Sequence, residues 1–156
     1  MGIEAAMRYW VNTVSRDHVQ RGVDGGFTQA GHGKATGLKR MAKGDRIVFY
    51  SPRTKLDGGE PLQAFTAIGT ITDEAPFQVE MTPDFHPWRR KVAFATSEEA
   101  PIRPLLESLD FIRNKKSWGF VFRRGLFTIE EGDFQTIERA MTAFLAAGTS
   151  PSDDTS

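Results

Sequence analysis

Arg8-Tyr-Trp-Val-Asn-Thr-Val14 runs directly into Ser15-Arg-Asp-His-Val-Gln-Arg-Gly-Val-Asp-Gly-Gly-Phe27. The first segment alternates as a strand does, with Trp10, Asn12 and Val14 on one face and Tyr9, Val11 and Thr13 on the other. Ser15 stands where a helix N-cap belongs. Val19 and Val23 are one helical turn apart, and Gly25-Gly26 ends the helix. A strand thus passes at once into a short helix. The residues beyond repeat this mixture. Residues 27–36 form a polar loop containing Gly31-His-Gly-Lys34, and Leu38 with Met41 adds a helical turn before Lys43-Gly-Asp45. Arg46–Ser51 is apolar enough for a strand buried on both faces. Leu62–Thr72 is a long strand in which Gly69 suggests a bulge. Phe77, Val79 and Met81 alternate, as do Val92 and Phe94 beyond the turn residues 83–88. Pro104 opens a helix carrying Leu105, Leu106 and Leu109. Thr128 with Glu131 predicts a capping box, and Phe134, Ile137, Met141, Phe144 and Leu145 predict one face of a last helix. The fold class is therefore α+β, with about five to six strands in a strongly curved sheet or open barrel and short helices packed around it.

The chain has 156 residues and no cysteine, which suits one domain and excludes disulfides, thiolate catalysis and Cys-based metal sites. Its three histidines (His18, His32, His86) have no paired spacing, so neither metal nor cofactor is expected. No window approaches the ~18 apolar residues of a membrane span, and the N-terminus lacks the pattern of a signal peptide. A cytoplasmic monomer without a membrane partner is the expectation, with residues 1–6 an extension, 7–146 the domain and 147–156 a disordered tail.

Twenty basic residues balance twenty acidic ones, which argues against a general polyanion binder, but the charges are unevenly placed. Nine basic residues between Arg8 and Arg53 face only Asp17, Asp24 and Asp45. Arg113, Lys115, Lys116, Arg123 and Arg124 form a second basic group. One basic face is the implication.

Catalytic patterns are weak. Gly31-His-Gly-Lys34 fails as a Walker loop because Thr28 and Ala35 stand where Gly and Ser/Thr are required, although its lysine and backbone N–H groups could meet a single phosphate. Ser15, Asp17 and His18 lack a nucleophile elbow and a separate orienting acid. The aromatics say more. Trp10, Phe27, Tyr50, Phe85, Trp88 and Trp118 fall at strand ends or in loops, where aromatic faces hold a planar base. Asn12, Thr28 and Ser51 can reach its edge. Each aromatic taken singly fits a core as well.

These residues resemble the EVE domain family, as a stand-alone bacterial member. The likeness is carried by Tyr9-Trp-Val11, Ser15-Arg-Asp-His-Val19, Arg21-Gly-Val-Asp-Gly-Gly-Phe27 and His32-Gly-Lys34, then by Leu38-Lys-Arg-Met41, Lys43-Gly-Asp45 and Tyr50-Ser-Pro52. It continues in Pro61–Gly69, Pro83-Asp-Phe85, Pro101-Ile-Arg-Pro104, Asn114-Lys-Lys116, Trp118-Gly119 and Gly125-Leu-Phe127. The resemblance implies a PUA-like barrel and a kinship with YTH domains, which cage a methylated adenine. It also implies a non-catalytic module that reads a modified base in DNA or RNA, some members of the family reading modified cytosine by base flipping. By this likeness the pocket comprises Asn12, Ser15, His18, Phe27 and Thr28, closed by Phe85, Trp88, Arg103 and Pro104. The aromatic and polar set Trp10, Tyr50, Ser51 and Trp118 joins it as candidate lining. Lys34, Lys39, Arg40, Lys115 and Lys116 are the candidate phosphate contacts. Phe27 stands where YTH cages commonly place Trp, and Asn12 where they often place Lys, so the identity of the base stays open. The alternatives are a sensor of a free nucleotide or small molecule, or a nucleotide-directed hydrolase.

Overall fold

A strand of mixed neighbours lies within the sheet of this α+β protein, whose computed structural model describes residues 6–148. β1 (Tyr9–Thr13) runs parallel to β3 (Arg46–Arg53) and antiparallel to β8 (Leu126–Ile129). The parallel pairing needs a crossover, which α1 (Arg16–Gly25) and the short β2 (Phe27–Thr28) provide. β4 (Pro61–Ile71) returns along β3, and β6 (Trp88–Phe94) follows β4, giving the order β2-β6-β4-β3-β1-β8. Two-residue strands, β5 (Phe77–Gln78) and β7 (Ala100–Pro101), pair with β6 and β4. The sheet curls into the PUA-like half-barrel expected from the sequence. α2 (Glu131–Gly148) ends the described chain. Of the extension expected at 1–6 and the tail expected at 147–156, residues 1–5 and 149–156 lie outside the described residues, while 147–148 belong to the end of α2 rather than to a tail.

Period-two alternation fills both sides of the sheet. Trp10 joins Val19 of α1 with Leu38, Met41, Ile47, Phe49, Ile71 and Val92 in one buried cluster. Val11 faces the other way, among Val48, Tyr50, Phe65, Phe127 and the α2 residues Phe134, Ile137 and Met141. The predicted inner face of α2 is correct for these three, but Leu145 is exposed.

Two local expectations differ from the structure. Gly69 stays in register, opposite Ile47 and Phe94. A Cβ there would sit 2.6 Å from the Ala93 carbonyl oxygen, so this glycine serves close strand approach rather than a bulge. The irregularities of the β3–β4 ladder fall instead between Phe49 and Tyr50 and between Ser51 and Arg53. Thr128 lies inside β8, so no capping box forms. Asp133 instead accepts the Asp110 and Phe111 backbone N–H groups at 2.9 and 2.8 Å, tying the first turn of α2 to the preceding loop.

Candidate functional site

The end of β1 and the first turns of α1 form one wall of a cavity of about 940 Å³. β2, the Gly31–Gly33 turn, the β3–β4 hairpin tip and residues 123–126 complete it. Its cationic lining consists of Arg21, Arg40, Arg53, Lys55, Arg89, Arg123 and Arg124, and among the described residues no carboxylate lines it. A concave surface of one sign concentrates anions. Leu56, Met81 and Phe85 add exposed apolar surface to the same cavity.

Asn12 is buried on its wall, and its amide orientation is settled by chemistry. Nδ2 donates to the Gln29 carbonyl at 2.8 Å and to Thr28 Oγ1 at 2.9 Å. A carbonyl can only accept, so the nitrogen must face it. Both N–H groups are thereby used, and Oδ1 is left as the acceptor this side chain offers to the cavity.

Phe27 is held between backbone and cation. A Cβ on Gly25 would come within 2.6 Å of the ring, and the Arg89 guanidinium lies 3.7 Å from its centroid. Arg89 Nε also donates to Gln29 Oε1 at 2.7 Å, and burial pushes the guanidinium pKa down from its ordinary value. The plane presented here is therefore a fixed guanidinium backed by an aromatic ring. Opposite structural needs place Phe85. Gly33 has φ +83°, and a Cβ there would meet Pro87 at 2.8 Å and the Phe85 ring at 3.0 Å. The loop bearing Phe85 thus packs directly on the glycine turn.

Ser15 caps α1 by position only. Its hydroxyl donates to Asp17 Oδ1 at 2.7 Å, and the His18 backbone N–H donates to the same oxygen at 2.9 Å. Asp17 N–H in turn donates to the Thr54 carbonyl at 3.0 Å, joining the helix start to the hairpin. The serine proton points to a carboxylate rather than to an imidazole, so no serine–histidine pair forms.

The cavity brings together Asn12, Ser15, His18, Phe27, Thr28, Phe85 and Arg40 from the predicted set. The others lie elsewhere. Trp10 is wholly buried and donates Nε1–H to Asp45 Oδ2 at 2.9 Å. Tyr50 stacks on Phe122 at 3.9 Å in the opposite cluster. Ser51 donates to the Val14 carbonyl at 2.6 Å and contacts Thr66 Oγ1 at 2.7 Å, which makes it a hairpin fastener. Trp88 packs against the Trp10 cluster. Trp118, Arg103 and Pro104 lie off this cavity, with Arg103 over the Trp118 ring at 5.4 Å. Lys115 Nζ donates to the Leu106 and Leu109 carbonyls at 2.7 and 2.9 Å, so it closes a turn. Lys34, Lys39 and Lys116 are exposed and do not line the cavity. Part of the first basic run is neutralised: Arg16 pairs with Glu99 and Arg46 with Glu138.

Sequence reasoning missed Arg89. Its signal was Arg89-Arg90 in a strand, because neighbouring strand residues face opposite sides. Arg90 is buried on Asp73 at 2.6 Å, which leaves Arg89 to the other side. Among the described residues no three His, Asp or Glu gather as metal ligands, and no helix is long and apolar enough to cross a membrane.

Comparison with known proteins agrees with this architecture. Residues 8–140 match the EVE domain model. The chain is 59% identical over 141 residues to a UPF0310 protein of Mycolicibacterium gilvum, covering 90% of this chain and all of that relative. A UPF0310 protein of Mesorhizobium japonicum is 51% identical over 137 residues, covering 86% of this chain and 92% of the relative. A hypothetical protein from Leishmania major has a similar solved structure, with TM-score 0.53, 13% identity and coverage of 86% and 94%. Protein Atu2648 from Agrobacterium tumefaciens gives TM-score 0.53 at 11% identity, covering 85% and 92%. These two likenesses concern the fold.

Proposed function

This chain belongs to the EVE domain family, and from that premise we propose that it is a non-catalytic module that takes one modified base of a nucleic acid into its cavity. The observation that carries this reading is the lining of the cavity: seven cationic side chains and, among the described residues, no carboxylate around the acceptor oxygen of Asn12. Phosphates dock on the cations, and the base leaves its stack and enters. Extrusion costs a few kcal/mol, least for a mismatched or single-stranded base. The Arg89 guanidinium and the Phe85 ring return about 1–3 kcal/mol each by stacking. Burying a methyl group adds roughly 0.8 kcal/mol, so selectivity for a modification depends on hydrogen bonds to the base edge as well.

Binding of the purified chain to matched plain and modified oligonucleotides, single- and double-stranded, over a salt series tests this. Modification-dependent binding that weakens with salt is expected. Binding of a free nucleotide with no added affinity for the polymer would replace the reader with a small-ligand sensor. Turnover of any of these ligands would replace both with an enzyme.

A further inference from the structure

A second cavity of about 290 Å³ lies beside the first, near the lower end of ordinary small-ligand pockets (~300–1,000 Å³). Tyr50, Gln63 and Trp118 line it, while Thr13, Pro52 and Arg123 line both cavities. Thr13 Oγ1 is the one buried side-chain oxygen or nitrogen without a partner among the described residues. Tyr50, whose ring is fixed against Phe122, lines the same cavity. Buried hydroxyls are normally satisfied, so the unpaired Thr13 Oγ1 on this wall is one sign of an unfilled site. Gln63 holds a left-handed backbone, φ +55°, which a residue with a Cβ adopts at a cost. Its Oε1 accepts from Arg103 Nε at 3.1 Å, leaving the amide N–H groups to donate. The same Arg103 stands over the Trp118 ring, 5.4 Å from its centroid.

We infer that this second cavity is the subsite for the nucleobase next to the one held in the large cavity, stacked on Trp118 and contacted by Gln63, Tyr50 and Thr13. The inference rests on the proposed reading of the large cavity. Arg123, lining both, sits at the junction that a phosphodiester joining the two nucleosides must cross. A neighbour-base pocket gives the protein a sequence context in addition to a preferred modification.

The test uses the full chain and two kinds of probe. Single-stranded heptamers carry 5-methylcytosine or N6-methyladenine at the centre, with each base in turn on either side. The corresponding modified 5′-mononucleotides occupy the large cavity alone. Wild-type protein is expected to prefer one flanking base on one side. Trp118→Leu should erase that preference and weaken the heptamer about tenfold, leaving the mononucleotide unchanged. Gln63→Gly suits the backbone conformation and so keeps the fold; it should erase the preference too. A preference surviving both changes, or equal loss for heptamer and mononucleotide, overturns the subsite while leaving the large cavity in place. A wild-type protein that binds neither heptamer nor mononucleotide removes the proposed function and this inference with it.

Discussion

The guanidinium carbon of Arg89 lies 3.7 Å from the centroid of the Phe27 ring, so one face of the phenylalanine expected to stack on a base is already occupied. The ring fixes the guanidinium, and the guanidinium supplies a planar cation to the cavity. Arg89→Lys retains the charge and loses the plane. Affinity for a single-stranded ligand should fall about tenfold, with an unchanged slope of log K against log salt. Titration calorimetry at several salt concentrations checks both numbers. A lysine variant that binds as tightly as the parent would refute the stacking role of Arg89.

Asn12 makes a sharper prediction. With both N–H groups committed to Gln29 and Thr28, its free Oδ1 can accept from the exocyclic amino group of cytosine or adenine, which thymine lacks. Asn12→Ala should therefore weaken cytosine- and adenine-derived ligands about tenfold and leave thymine ligands nearly unchanged. Asn12→Asp places a carboxylate oxygen against the Gln29 carbonyl, and should lower stability by about 1–3 kcal/mol in urea melts. Equal loss for all three bases in the alanine variant would make Asn12 a purely architectural residue.

Patterning exposed the fold more fully than the site. β1, α1, the β3–β4 hairpin and the inner face of α2 are local patterns, and the structure has them. The position of Trp10 is a long-range fact. Nothing near Trp10 in sequence announces that Asp45 will accept its indole N–H, together with the Ala42 N–H at 2.9 Å and the Arg8 N–H at 3.1 Å. Tyr50 points away from the large cavity by alternation, since it shares a face with Val48, opposite Ile47 and Phe49. Asn12, Ser15, His18, Phe27 and Thr28 were accessible to sequence reasoning because they lie on consecutive elements around one crossover. Arg53, Lys55, Leu56, Arg89 and residues 123–126 join them only because the curled sheet brings them near.

Charge alone does not assign a lysine to phosphate. Lys115 donates to two turn carbonyls, so Lys115→Ala should destabilise the protein, by about 1–3 kcal/mol for bonds from a charged donor, and leave the salt slope of binding intact. Arg124→Ala, on the cavity lining, should do the reverse: a smaller salt slope, by about one, with stability within about 0.5 kcal/mol of the parent. Paired urea melts and salt titrations separate the two. A reduced salt slope for Lys115→Ala would return that lysine to the nucleic-acid interface.

Asp17 predicts a pH dependence whose sign is fixed by its surroundings. Burial pushes its pKa up, but the Ser15 hydroxyl, the charge and backbone N–H of His18 and the charge of Arg21 outweigh that and hold the carboxyl below its ordinary value. A carboxyl whose folded pKa is depressed stabilises the protein fully above its unfolded value of about 3.9. That stabilisation disappears as the pH falls through the folded pKa. Asp17→Asn cannot ionise, so its stability deficit relative to wild type should be present at about pH 7 and shrink on acidification to about pH 3. Urea melts of the two proteins at both pH values measure it. A deficit of the same size at both would show that Asp17 acts through hydrogen-bond geometry alone, and that the charge facing the Ser15 hydroxyl adds nothing to the anchoring of α1.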